Sequence, residues 1–174
     1  MAVSGQLARL GGRLGEVELK KKETERRAMA CEIVSTSGGV FALWGLPTRD
    51  DVDRVVGALK EAVNACGHPV VYVTRVPPSA PVPDRETRHH IEAVMPAVAP
   101  FFSSYHVVLE GVGFAAALKR GILNSLFQLI WRQKTFFVHA TVDQISSSVS
   151  PLARDDLRVL LDRASEQGLL DRQI

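Results

Sequence analysis

Cysteine is scarce in this chain, with only Cys31 and Cys66 among 174 residues. Two thiols far apart, with no histidine at ligand spacing, exclude both a disulfide framework and a zinc module, and the expectation is two free, buried thiols. Long apolar runs are missing too: the uncharged one at 121–131 covers roughly half of the 18 to 20 residues of a membrane span. The first residues lack the apolar segment of a secretory signal, so a cytoplasmic location is expected. The five histidines, at 68, 89, 90, 106 and 139, show no HxxxH or HExxH spacing, which leaves no zinc-enzyme signature. No GxSxG elbow is present, and Ser79, Ser103 and Ser104 have no evident base. Charge of one sign is also lacking. The net +2 resides in the first 28 residues, which hold seven Lys/Arg against four Asp/Glu, whereas the remainder has 14 against 15. A near-neutral body offers no basic face for nucleic acid.

The chain does have enough apolar side chains, 46% of its residues, for one continuous core in a single domain. Residues 1–28 carry a narrow apolar stripe (Leu7, Leu10, Leu14, Val17) broken by glycines, and read as a flexible basic tail or as sequence upstream of a true start at Met29. The domain is expected over 29–168, with 169–174 as a C-terminal tail. Short β-type runs at 31–36 and 40–44 flank Ser37-Gly38-Gly39, as in a tight hairpin. Thr48 with Asp51 three positions on marks a helix start, and Gly67 with Pro69 marks its end. A buried strand follows at 70–76, then a stiff proline-rich loop at 77–83 and a helix capped by Asp84. Pro96 lies inside that helix, where a kink or break is expected. Ser150-Pro151 opens the last helix, which Gly168 ends.

Between these lies the stretch that organises the rest, a strand at 105–109, a Gly111-Val112-Gly113 turn and a helix at 114–131. The helix is apolar around most of its circumference. Phe114, Leu118, Leu123, Leu126, Phe127, Ile130 and Trp131 spread beyond the roughly 100° of one packed face, which calls for a second covering surface. The turn matches the GxGxxG/A phosphate fingerprint on paper. No acidic residue stands about 20 positions on, however, so a tight structural turn is the reading kept. Glu110 and Arg75 fall at adjacent strand ends, where ligands of α/β sheets bind. With Gly111 and Gly113 they form a possible ligand-facing group, and an ion pair that finishes the strand ends is the plainer reading. A strand at 135–141 precedes the last helix. The order β-β-α-β-α-β-α-β-α predicts an α/β fold: one mostly parallel sheet with an antiparallel N-terminal hairpin and helices packed on it.

This order, the hairpin opening, the Thr48-Arg49-Asp50-Asp51 helix start and the strand-Gly111-Val112-Gly113-Phe114-helix centre resemble the STAS/Sec14-like domains related to bacterial anti-sigma-factor antagonists. The likeness spans about 31–167. It implies a non-enzymatic, cytoplasmic interaction module that binds another protein or a second copy of itself, with no cofactor and no metal. The family's phosphorylatable serine turn has no counterpart in the 77–84 loop, where Ser79 is only positionally near. The alternative is a small-molecule or lipid-binding domain with its pocket beneath the 114–131 helix. An enzyme using Glu110 and Arg75 is a third possibility.

Overall fold

The computed structural model describes residues 31–113, 116–118, 120–121 and 136–170. Five strands form one sheet in the order β1-β2-β3-β4-β5: β1 (Glu32–Ser35), β2 (Gly39–Leu43), β3 (Val70–Val76), β4 (Phe102–Leu109) and β5 (Phe136–His139). β1 and β2 pair antiparallel and every other pair is parallel. The α/β class and the antiparallel hairpin are as expected. β4 is longer than the sequence pattern indicated, because Phe102, Ser103 and Ser104 extend it at its start.

Helix α1 (Arg49–Cys66) connects β2 to β3, and α2 (Arg85–Val98) connects β3 to β4. Crossovers of one hand along a sheet that grows in one direction place such helices on the same side. They do pack together there, with Val40, Ala42, Val55, Leu59, Tyr72, Val98 and Phe102 in one buried cluster. On the other side, α3 (Arg154–Glu166) and the 3₁₀ segment Val142–Ser147 bury a second cluster that includes Phe41, Leu43, Val73, Val108, Ile145, Leu157 and Leu160. With both sides covered, the central strands can be apolar without alternation: all five residues of β2 are buried,. Each fully buried Val, Leu or Phe contributes roughly 1.5–3 kcal/mol of transfer free energy.

The helix ends follow from local chemistry. Thr48 and Asp51 form a reciprocal capping box, Thr48 N donating to Asp51 Oδ2 at 2.9 Å and Asp51 N to Thr48 Oγ1 at 3.3 Å. Gly67 ends α1 in the left-handed region, φ 77°, where a side chain would be strained. Asp84 caps α2 by accepting from Thr87 N at 2.7 Å, a bond that lowers its carboxyl pKa. Pro96 does not end this helix, which runs on to Val98 before a 3₁₀ turn at Ala99–Phe101. So close to the C-terminus the proline forfeits a single internal N–H bond, and of the expected kink or break the break does not occur,. Ser150 makes no side-chain cap; Pro151–Ala153 is 3₁₀ and α3 follows.

Gly39 lets α3 approach β2: a Cβ there would lie 2.8 Å from Leu160 Cδ2 and 3.0 Å from the Val71 carbonyl oxygen. The core also reaches past Gly168. Leu169, assigned to the tail from sequence, is fully buried. Cys31 is buried, Cys66 partly so, and both thiols are free.

Candidate functional site

A cavity of about 250 Å³ lies between the sheet and the α1/α2 layer. Trp44, just after β2, Val76, the last residue of β3, and Val107 of β4 line it from the sheet, and α1, α2 and the loop prolines Pro81 and Pro83 border it. It therefore sits toward the carboxyl ends of the parallel strands, where open α/β sheets take their ligands. Its described lining contains no charged residue.

Four lining residues carry a polar atom: Trp44, Tyr72, Thr74 and Tyr105. The β3–β4 register sets Tyr72 against Tyr105, and their rings stack with centroids 4.5 Å apart. Phe136, next in register on β5, meets Tyr105 edge-on at 4.9 Å. Thr74 Oγ1 donates to the Tyr105 hydroxyl at 3.2 Å. Burial pushes both phenols up, Tyr105 to about 12, and the neighbouring Tyr105 raises Tyr72 further. Both tyrosines are neutral at physiological pH. The Trp44 indole Nε1 is buried and has no hydrogen-bond partner among the described residues. The Tyr72 hydroxyl feels it as a weak donor, but full hydrogen-bond geometry is not reached.

The opposite face holds the charged and imidazole groups, each with partners. Arg75, 3% exposed, donates from Nε to Glu110 Oε1 at 2.7 Å and from Nη2 to Glu110 Oε2 at 3.0 Å. Its Nη1 donates to the Leu169 carbonyl. The guanidinium thus binds β3, the end of β4 and the C-terminal segment together. That is the plainer of the two sequence readings, and it engages three of the five guanidinium N–H donors,.

One constellation went unseen in the sequence. His106, fully buried, lies 2.9 Å by Nε2 from Ser104 Oγ and 3.0 Å by Nδ1 from His139 Nε2. Ser104 thus has an imidazole neighbour after all. Ser104 also borders a second, more polar cavity of about 500 Å³ near Gly38, Phe137 and Asp156. The arrangement resembles a nucleophile beside its base. Yet burial, with the facing His139 second, pulls the His106 pKa down to about 3, and burial also lowers His139. So weak a base gives little driving force for removing a serine proton. The trio acts as a neutral hydrogen-bond relay that satisfies buried polar groups.

Gly111 and Gly113 take positive φ, 130° and 87°. Gly113 O accepts from Ala117 N at 3.1 Å as the next helix begins. Arg120 Nη1 donates to the carbonyls of Leu109 and Gly111, at 3.0 and 3.1 Å, so this cation is spent on the turn itself. Leu118 is helical and 51% exposed, and Val112 is 97% exposed. Phe114, Leu123, Leu126, Phe127, Ile130 and Trp131 lie outside the described residues, as do residues 1–30 and 171–174. Among the described residues no helix is long and apolar enough to cross a membrane. Comparison with protein-family models, with curated proteins and with solved structures finds no match for this chain.

Proposed function

We propose that this domain binds a small, mostly apolar molecule in the cavity between α1, α2 and the sheet. The observation that carries this reading is a cavity of about 250 Å³ at the carboxyl ends of parallel strands with no charged residue in its described lining. Pockets of this kind, apolar with a few convergent polar groups, are the usual form of small-molecule sites. The volume falls just under the roughly 300 Å³ at which drug-sized pockets begin, which favours a compact ligand over a long acyl chain. Native mass spectrometry of the protein as purified, with extraction of any retained mass, tests the reading. A protein that carries no ligand and is not stabilised by any member of a library of small aromatic compounds in thermal-shift screening would overturn it.

A second reading is the protein-interaction module implied by the STAS/Sec14-like resemblance, which rests on the order of elements and motifs. The exposed Val112 and Leu118 support it, since both stand at the start of the apolar segment. Light scattering on wild type and Leu118→Asp tests this: a shared surface there requires that the substitution lower the mass of a wild-type oligomer. A cytoplasmic setting belongs to the same proposal and is supported by the two unpaired thiols,.

A further inference from the structure

We propose that the cavity of about 500 Å³ at the amino ends of the parallel strands is a second binding site, which takes a compact amine with its ammonium group facing Asp156. This site stands apart from the α1/α2 cavity, which lies toward the other ends of the strands. Gly38 just before β2, Val71 in β3, Ser103 and Ser104 in β4 and Phe137 in β5 line it from the sheet. Ser148 and Ser150 border it from the segment that leads into α3, and Asp156 from the first turn of that helix.

The polar lining is rich in acceptors. Its described residues include the Asp156 carboxylate and no Lys or Arg. Arg158, further along α3, pairs with Asp155 at 3.4 Å, and no hydrogen bond or ion pair among the described residues engages Asp156. The hairpin turn makes room for this carboxylate, because a Cβ on Gly38 would overlap Asp156 Cγ and Oδ1. His68 Nδ1 lies 3.0 Å from the Pro69 carbonyl oxygen. A carbonyl only accepts, so Nδ1 carries the hydrogen and Nε2 of the neutral ring is an acceptor. Ser104, 9% exposed and held by His106 at 2.9 Å, brings a hydroxyl to the wall that serves as donor or acceptor. An anionic ligand would meet Asp156 with no cation to offset the repulsion. An ammonium brings both the donors and the countercharge. Pro69, Val71, Phe137 and the exposed Leu152 supply an apolar flank for the body that carries it,.

Calorimetry with three probes that share an indole body tests this: tryptamine, a cation at neutral pH, tryptophol, its neutral alcohol, and indole-3-propionate, an anion. Tryptamine is expected to bind wild type roughly five- to tenfold tighter than tryptophol, the worth of one charged hydrogen bond at a partly exposed carboxylate. Indole-3-propionate should bind most weakly, and added salt should narrow the spread. In Asp156→Asn, which keeps the shape of the side chain, tryptamine and tryptophol should bind within about twofold of each other. Should that variant not fold, the carboxyl carbon resonance of Asp156 in wild type gives the same readout, shifting with tryptamine and not with tryptophol. 2-Acetylnaphthalene, a neutral probe of the α1/α2 cavity, is the control, and its affinity should be the same in wild type and Asp156→Asn. Equal affinity for tryptamine and tryptophol, an advantage that survives in Asp156→Asn, or an unshifted carboxyl resonance overturns the inference. So does tightest binding of indole-3-propionate, or no binding by any indole probe. None of these results touches the α1/α2 cavity, on which 2-acetylnaphthalene reports separately.

Discussion

Each face of the sheet buries an apolar cluster, but the two treat polar groups in opposite ways. On the α3 side, Arg75, Glu110, Ser104, His106 and His139 are buried or nearly so and hydrogen-bonded to one another or to Leu169. On the α1/α2 side the described side chains around the cavity are neutral, and the Trp44 indole reaches the Tyr72 hydroxyl only weakly. Closed polar networks fix an arrangement, while a cavity leaves space to be filled. The difference gives the first network a structural role and leaves the second face as the one on which binding of a mostly apolar molecule is proposed. It also places the Arg75–Glu110 pair in the first network, where it ties β3, the end of β4 and Leu169 together.

The largest effect should come from opening the closed network. Glu110→Ala strands a guanidinium that is 3% exposed, and breaking a buried pair from one side costs about 3 kcal/mol or more. For a domain of this size the melting temperature should fall on the order of 10 °C. Arg75→Met combined with Glu110→Leu should recover most of that loss, since it removes both charges and keeps the volume. A double variant as unstable as Glu110→Ala would show that the ion pair contributes more than mutual compensation. Ligand binding on the other face should be unaffected in the folded variants.

A smaller effect separates the faces by pH. His106 is neutral in the folded protein down to about pH 3 but takes a proton near pH 6.5 when unfolded. The unfolded state therefore binds more protons as pH falls below 6.5, and stability should decline by about 1.4 kcal/mol per pH unit in that window. His139, shifted in the same direction, adds to the slope. Cys31, Tyr72 and Tyr105 behave in the opposite sense: their folded values are raised, so their contribution is complete below their ordinary values, pH 9 to 10, and is lost as pH climbs toward 12. Melting curves should show an acid limb flattened by His106→Gln and an alkaline limb flattened by Tyr105→Phe. An acid limb unchanged in His106→Gln would mean that the relay is not the acid-sensitive element.

Much of the framework was legible because its signals are local. Glycines at a turn, a Thr48/Asp51 capping pair, Gly67 and the apolar strand runs each act within a few residues, and the element order followed from them. The relay was not legible because the strand was started at Tyr105, which put Ser104 outside it. Once β4 begins at Phe102, Ser104 and His106 stand two apart on the same face, and only the β4–β5 register brings His139 to them. The cavity was less accessible still. Trp44, Val55, Pro83, Met95 and Val107 come from separate segments, each reads as an ordinary core residue, and the space arises from how α1 and α2 rest on the sheet.

The smallest effect is the finest test of the contrast, because it makes the same chemical change in a strand on each face. Val73 on β3 is fully buried in the α3-side cluster, and interiors packed to crystal-like density resist an extra methylene. Val73→Leu should cost about 1–3 kcal/mol. Val107 on β4 lines the cavity, so the methylene gained by Val107→Leu has space to enter, and burying it offsets the lost β-branching. Its stability should stay within about 0.8 kcal/mol of wild type, the worth of one buried methylene. Denaturant midpoints measure both variants, and calorimetry with 2-acetylnaphthalene adds the functional arm. Val107→Leu should weaken that probe by narrowing the cavity, while Val73→Leu should leave its affinity unchanged. Equal destabilisation at the two positions would mean that the α1/α2 face is packed as tightly as its opposite, and the space assigned to a ligand would be lost with the contrast.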